Sequence, residues 1–178
     1  MAMAFHSCRT STAFLVLFVL AASLPKDVSA AGRGAQLTPQ AQSLFHAGAA
    51  SLKSGDFQGA ITAFQKFLAF NKQFGPAYMN LGLAYHSLKQ YDQAIASFTE
   101  ALELDEHLES ADLFLGIDYC KTNLPEKAIE PLKRALISEP GDPDVHLWLG
   151  RALLGKGAYK EAIIHLEKAS TAYPDDLR

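Results

Sequence analysis

The feature that most constrains this chain is its similarity to itself at a fixed spacing of 34 residues. Shifted by that amount, Gly48, Gly82, Gly116 and Gly150 coincide, and so do Ala60, Ala94, Ala128 and Ala162. Ile61, Ile95, Ile129 and Ile163 form a third row, and Phe64, Phe98, Leu132 and Leu166 a fourth. Four rows in one register, with no insertion, define units at 41–74, 75–108, 109–142 and 143–176. A period of this size marks a solenoid, in which no unit covers its own apolar face and each neighbour completes the core of the next.

Within each unit the apolar residues recur at helical spacing, interrupted once by a short polar stretch: KSGD, LKQ, TNLP or GKGA. Each unit is therefore expected to be two helices. Gly75-Pro76 and Asp142-Pro143 open first helices, with proline where its missing N–H does no harm and Asp142 placed to cap. Pro140 and Pro174 prevent the second helices from running on. A glycine inside a helix costs about 1 kcal/mol relative to alanine. Its recurrence therefore implies a close approach of another element. The expected partner of Gly82 is Ala94 on its own second helix, with the two axes at the short end of the roughly 8–10 Å packing range.

Numbering each unit from its first residue, small and large residues fall at positions 4, 7, 8, 11, 20, 24, 27 and 32. The second unit supplies Tyr78, Leu81, Gly82, Tyr85, Ala94, Phe98 and Ala101, and the third Leu115, Gly116, Tyr119, Ala128, Leu132, Ala135 and Pro140. The fourth supplies Leu149, Gly150, Ala162, Leu166, Ala169 and Pro174. Ser51, Phe67 and Lys72 depart from this pattern in the first. The pattern resembles that of the tetratricopeptide repeat family across nearly the whole chain after residue 40. The resemblance implies an all-α fold, a right-handed α-solenoid of four helix-turn-helix repeats. It also implies that the first helices line a concave surface that binds a protein or peptide.

On that surface the resemblance places Phe45, Met79, Leu113 and Leu147 at position 5, and Leu83, Ile117 and Arg151 at position 9. Asn80, Phe114 and Trp148 lie at position 6, and His86 at position 12. The expectation is a largely apolar groove holding an extended or helical segment of a partner. One subset of the family clamps acidic peptide termini with Lys, Asn and Arg. Of the corresponding positions here only Asn80 matches, so that clamp is absent.

The first 30 residues read differently. A weakly basic opening runs into an apolar stretch of about 12 residues, Ala13 to Leu24, shorter than the roughly 20 needed to span a bilayer. Val28 and Ala30 hold the small-residue positions of a signal-peptidase site. Residues 1–30 are therefore expected to be a secretory signal cleaved after Ala30, 31–40 a linker and 41–178 the solenoid, exported to the periplasm or beyond. An uncleaved anchor is the competing reading. Removing Arg9, Lys26 and Asp27 from 16 basic and 19 acidic residues leaves 14 against 18. That mild acidity argues against nucleic acid as a partner. Cys120 is then the only cysteine, so no internal disulfide can form.

No nucleophile elbow, phosphate loop or HExxH motif occurs, and neither enzyme activity, cofactor nor metal is expected. His86 and Cys120, both at position 12, are the one candidate cluster, but Leu52 and Leu154 flank them and a zinc site needs three or four ligands. His107, His146 and His165 are not expected to converge. Asp118 stands where other units have Ala50, Ala84 and Ala152, and a part-buried carboxylate there calls for a Lys or Arg partner. Pro131 should bend its helix. The sequence ends two residues after the fourth unit, without a polar capping helix. Self-association through that end, a covering partner, and truncation from a longer array are the three readings. The function expected is that of a non-catalytic protein-interaction scaffold. The alternative is an accessory or regulatory subunit of a cell-envelope enzyme or secretion complex.

Overall fold

A computed structural model describes residues 37–170 and residue 172. The expected signal segment, Pro174 and the closing Asp175-Asp176 pair lie outside the described residues. Among those described there is no strand, and eight helices follow one another: α1 (Pro39–Ser54), α2 (Phe57–Phe70), α3 (Gly75–Ser87), α4 (Tyr91–Leu104), α5 (Glu109–Lys121), α6 (Pro125–Ser138), α7 (Pro143–Lys156) and α8 (Tyr159–Ser170). No helix among the described residues is long and apolar enough to cross a membrane.

Local sequence sets the helix ends. The Thr38 hydroxyl accepts from the Ala41 N–H ahead of Pro39, Asp56 accepts from Gly59 N–H at 2.9 Å, and Asp142 accepts from Asp144 N–H at 2.8 Å ahead of Pro143. Every turn inside a hairpin passes through the left-handed region at the same place, position 15. Two units use glycine there (Gly55, φ 79°; Gly157, φ 83°), and two use Lys89 (φ 59°) and Asn123 (φ 61°). Pro131 lies buried within α6, which runs on through it to Ser138.

The mid-helix glycines mark where the two helices of each hairpin interlock, but their partner is not the alanine row. A Cβ on Gly82 would meet the Phe98 ring at 2.6 Å, one on Gly48 the Phe64 ring at 2.8 Å, and one on Gly150 the Leu166 side chain at 2.7 Å. Gly116 is covered in the same way by Leu132. Helical side chains lean toward the N-terminus of their helix, so the residue four places after each alanine covers the surface above that alanine and enters the notch. The alanines Ala60, Ala94, Ala128 and Ala162 are wholly buried beneath these side chains.

Packing is strictly local along the stack. Each first helix packs on its own second helix, and each second helix on the first helix of the next unit. Successive first helices (α1, α3, α5, α7) also touch one another, whereas successive second helices do not pack together in this way. The first helices thus lie on the inner side of the curve. The core is aromatic at its start, where Phe45 meets Phe64, Phe67 and Phe74 edge to face with centroids 5.5–5.6 Å apart.

Gly82→Leu is expected to lower stability by about 1–3 kcal/mol, because Phe98 must leave the notch. Thermal unfolding followed by circular dichroism checks this. An unchanged melting temperature would contradict the interlock.

Candidate functional site

The inner face is built from the solvent-side residues of α1, α3, α5 and α7, and it is not the apolar groove the sequence pattern led us to expect. Phe45, Met79, Leu83, Leu113, Phe114, Ile117 and Leu147 are all buried, none more than 8% exposed. Residues placed on the inner stripe by helical spacing are covered here because adjacent first helices are in contact, and because some of them pack on second helices, Phe45 on Phe64 and Phe67 and Phe114 on Phe98. Of the residues expected on the groove, Asn80, His86, Trp148 and Arg151 retain partial exposure.

What this face presents instead is charge of one sign. The first helices expose Lys53, Lys121, Lys156 and His46, with Arg151 and His86 half-buried. Their aspartates, Asp112, Asp118 and Asp144, are buried. Asp112 is held by Arg134 of α6 through Nε at 3.0 and 3.1 Å and a second guanidinium nitrogen at 2.5 Å, away from the inner face. Among the described residues the exposed carboxylates sit on second helices, at Asp92, Glu100, Glu103, Glu126, Glu130, Glu161 and Glu167, mixed with lysines, and in connections at Asp56, Glu106 and Glu139. A chain of net charge −3 therefore carries an inner face of basic character.

The focus of that face is Trp148. Lys121 Nζ lies 4.8 Å from its ring centroid and Arg151 Cζ 4.9 Å, so cations from α5 and α7 flank one half-exposed indole. Lys121 was not among the residues expected at the site. Its signal in the sequence was the spacing of position 13 after position 6, two helical turns on the same face, together with a lysine at the same place in the first unit, Lys53.

Beneath this cluster lies a polar pair in the core. Asp118 of α5 is wholly buried, and its Oδ1 accepts from His86 Nδ1 of α3 at 2.6 Å. The partner is thus a histidine of the preceding unit rather than the Lys or Arg expected, and His86 turns to Asp118 rather than toward Cys120. The other carboxylate oxygen, Oδ2, has no hydrogen-bond partner. Phe114 packs edge-on to the His86 ring at 5.1 Å and Tyr91 at 6.0 Å. Burial pushes the Asp118 carboxyl up from its ordinary 3.8, while the hydrogen bond and charge of His86, and then Lys121, pull it back. Burial likewise pushes the Cys120 thiol up to about 11, so it is a neutral thiol at physiological pH and a poor nucleophile or metal ligand. Among the described residues no group of three or more His, Cys, Asp or Glu could hold a metal ion.

A second correction concerns histidines. His146 of α7 and His165 of α8 do converge, with their Nδ1 atoms 2.9 Å apart and their rings 5.2 Å apart. On the outer side, a shallow recess of about 450 Å³ between α4 and α5 is lined by Glu103, Glu106, His107 and the Asp112–Arg134 pair.

Fold and stacking together define a helical-repeat interaction scaffold, and the chain belongs to the tetratricopeptide repeat family. Models of that repeat match residues 42–70, 75–108 and 122–178. The chain is similar to the BBSome complex member BBS4 of Bos taurus, 29% identical over 124 residues. The match covers 70% of this chain but only 24% of that relative, so the chain spans about a quarter of its length. Among solved structures it resembles MamA (41-end) from Desulfovibrio magneticus RS-1, with a TM-score of 0.73 at 20% identity over 78% of each chain. A crystal structure of MamA matches with a TM-score of 0.69 at 26% identity, over 76% of this chain and 80% of that one.

The buried pair makes stability depend on pH. A carboxyl whose folded pKa is raised stabilises the fold fully below its ordinary value, and this is lost as pH rises through the raised folded value. Asp118→Ala, the residue of the other units, is therefore expected to gain on the natural protein as pH climbs from about 4 toward neutrality. His86→Ala leaves the carboxylate alone in the core and is expected to cost roughly 3–5 kcal/mol. Urea titrations across that range check both. Parallel pH profiles for Asp118→Ala and the natural protein would contradict the first.

Proposed function

We propose that this chain holds a segment of another protein along its inner face, and that the segment is acidic and seats an apolar side chain against Trp148. The observation that carries this reading is the sorting of charge. First helices expose basic groups while their aspartates Asp112, Asp118 and Asp144 are buried, in a chain that is acidic as a whole. The chemistry proposed thus differs from the apolar recognition read from the sequence pattern, because the apolar stripe is occupied in packing the stack. Trp148, amphipathic and held between Lys121 and Arg151, has the character of an anchor, and the surrounding cations set register and raise the rate of encounter. The leader-like residues 1–30 support placing this scaffold in an exported compartment.

The test is binding of the partner captured by the full chain in its native host, measured afterwards with purified components. Trp148→Ala is expected to weaken binding by about 2 kcal/mol. Lys121→Glu is expected to slow association, and binding should weaken as ionic strength rises. Affinity unaffected by both substitutions and by salt would contradict the proposal.

A further inference from the structure

In the first three units the flank of the second helix at positions 21 and 28 is closed by packing. Ile61, Leu68 and Ile129 are buried, and Ile95, Leu102 and Leu136 pack against the core. The counterparts on α8 are Ile163, 53% exposed, and Ser170, so the leucine of this flank has become a serine. A second change lies further round the helix. Position 22 is exposed in every unit, which means that no neighbour in the stack covers it. Thr62, Ala96 and Glu130 hold it in the first three units, and Ile164, 54% exposed, holds it in the fourth. The apolar surface of α8 has thus moved away from the flank that another repeat would cover and onto the outer side.

Lys160, Ile163, Ile164 and Glu167 follow one another at i, i+3, i+4 and i+7, and so form a single stripe. Ala162 and Ala169, the buried residues of α8, lie on the opposite side, and the stripe therefore faces away from α7. All four of its residues are exposed, and neither Lys160 nor Glu167 joins an ion pair among the described residues. The stripe is its own complement. Turned end to end about a point between Ile163 and Ile164, it sets each isoleucine over the other and Lys160 over Glu167. That is the symmetry of an isologous contact, in which residue i meets j and j meets i.

We infer that α8 pairs with α8 of a second copy of this chain, antiparallel about a two-fold axis between Ile163 and Ile164, with Lys160 facing Glu167 of the partner subunit at both ends. The isoleucines supply the attraction, and the charges select the antiparallel orientation because a parallel pair would set like charges together. Such a contact closes at two copies. The stripe lies on the far side of α8 from α7, so pairing leaves the inner face of each copy open, and the dimer presents two of them.

Sedimentation equilibrium of the full chain, from dilute to concentrated solution, tests the pairing. The expected result is a monomer–dimer equilibrium with no larger species. Ile164→Glu, folded by circular dichroism, should remain a monomer throughout. Lys160→Glu and Glu167→Lys each place like charges across the axis, and each should weaken the dimer roughly tenfold. Combining the two reverses both ends together and should restore the natural affinity. A monomer at every concentration, as when another part of the chain covers the stripe, would overturn the inference. So would growth beyond dimers, association unchanged in Ile164→Glu, or a double variant as weak as the single ones.

Discussion

The stack depends on a large side chain of each second helix entering a notch in the first. A glycine at the middle of the first helix leaves room for the ring of Phe64 or Phe98, or for the branched end of Leu132 or Leu166. Each notch is a single atom deep, yet it sets how closely the helix pair packs and which faces remain for the neighbours. The local cost of a helical glycine, about 1 kcal/mol, is outweighed by full burial of a Phe or Leu, worth about 1.5–3 kcal/mol. Once the pair is locked, the isoleucine row faces the next unit: Ile61 and Ile129 are 3% and 5% exposed, covered by α3 and α7.

The same closeness explains why the inner face is basic rather than oily. Adjacent first helices touch, so the side chains between them are consumed as seam, and only residues beyond the seam reach solvent. Those are the lysines in the last turns of α1, α5 and α7, where a cation is also favoured by the helix dipole, and the Trp148 group. Dipole compensation accounts for lysines at helix ends. It does not account for the placing of Trp148 between Lys121 and Arg151 or for the burial of three carboxylates in these helices.

The fold was legible in the sequence because a solenoid repeats its constraints. Glycine, alanine, isoleucine and large-residue rows each carry the same information four times, so the two-helix unit could be read without any long-range inference. Burial at the inner face was not legible from spacing alone, since helical periodicity gives the direction a side chain faces but not how near the next helix stands. Phe114 illustrates this: position 6 points inward, yet the residue is stacked on Phe98 at 5.8 Å and 3% exposed. The polar pairs were missed for a related reason. His86 with Asp118, and His146 with His165, join different helices at spacings of 32 and 19 residues, and only the packed stack brings them together.

Amide hydrogen exchange of the native chain tests most directly the claim that every hairpin is held by its neighbours. In a stack with nearest-neighbour coupling, protection should be greatest in α4, α5 and α6, with α5 foremost because it is buried continuously from Ala111 to Asp118, and should decline toward α1 and α8. Equal protection in all eight helices, or slowest exchange in a terminal hairpin, would contradict the account.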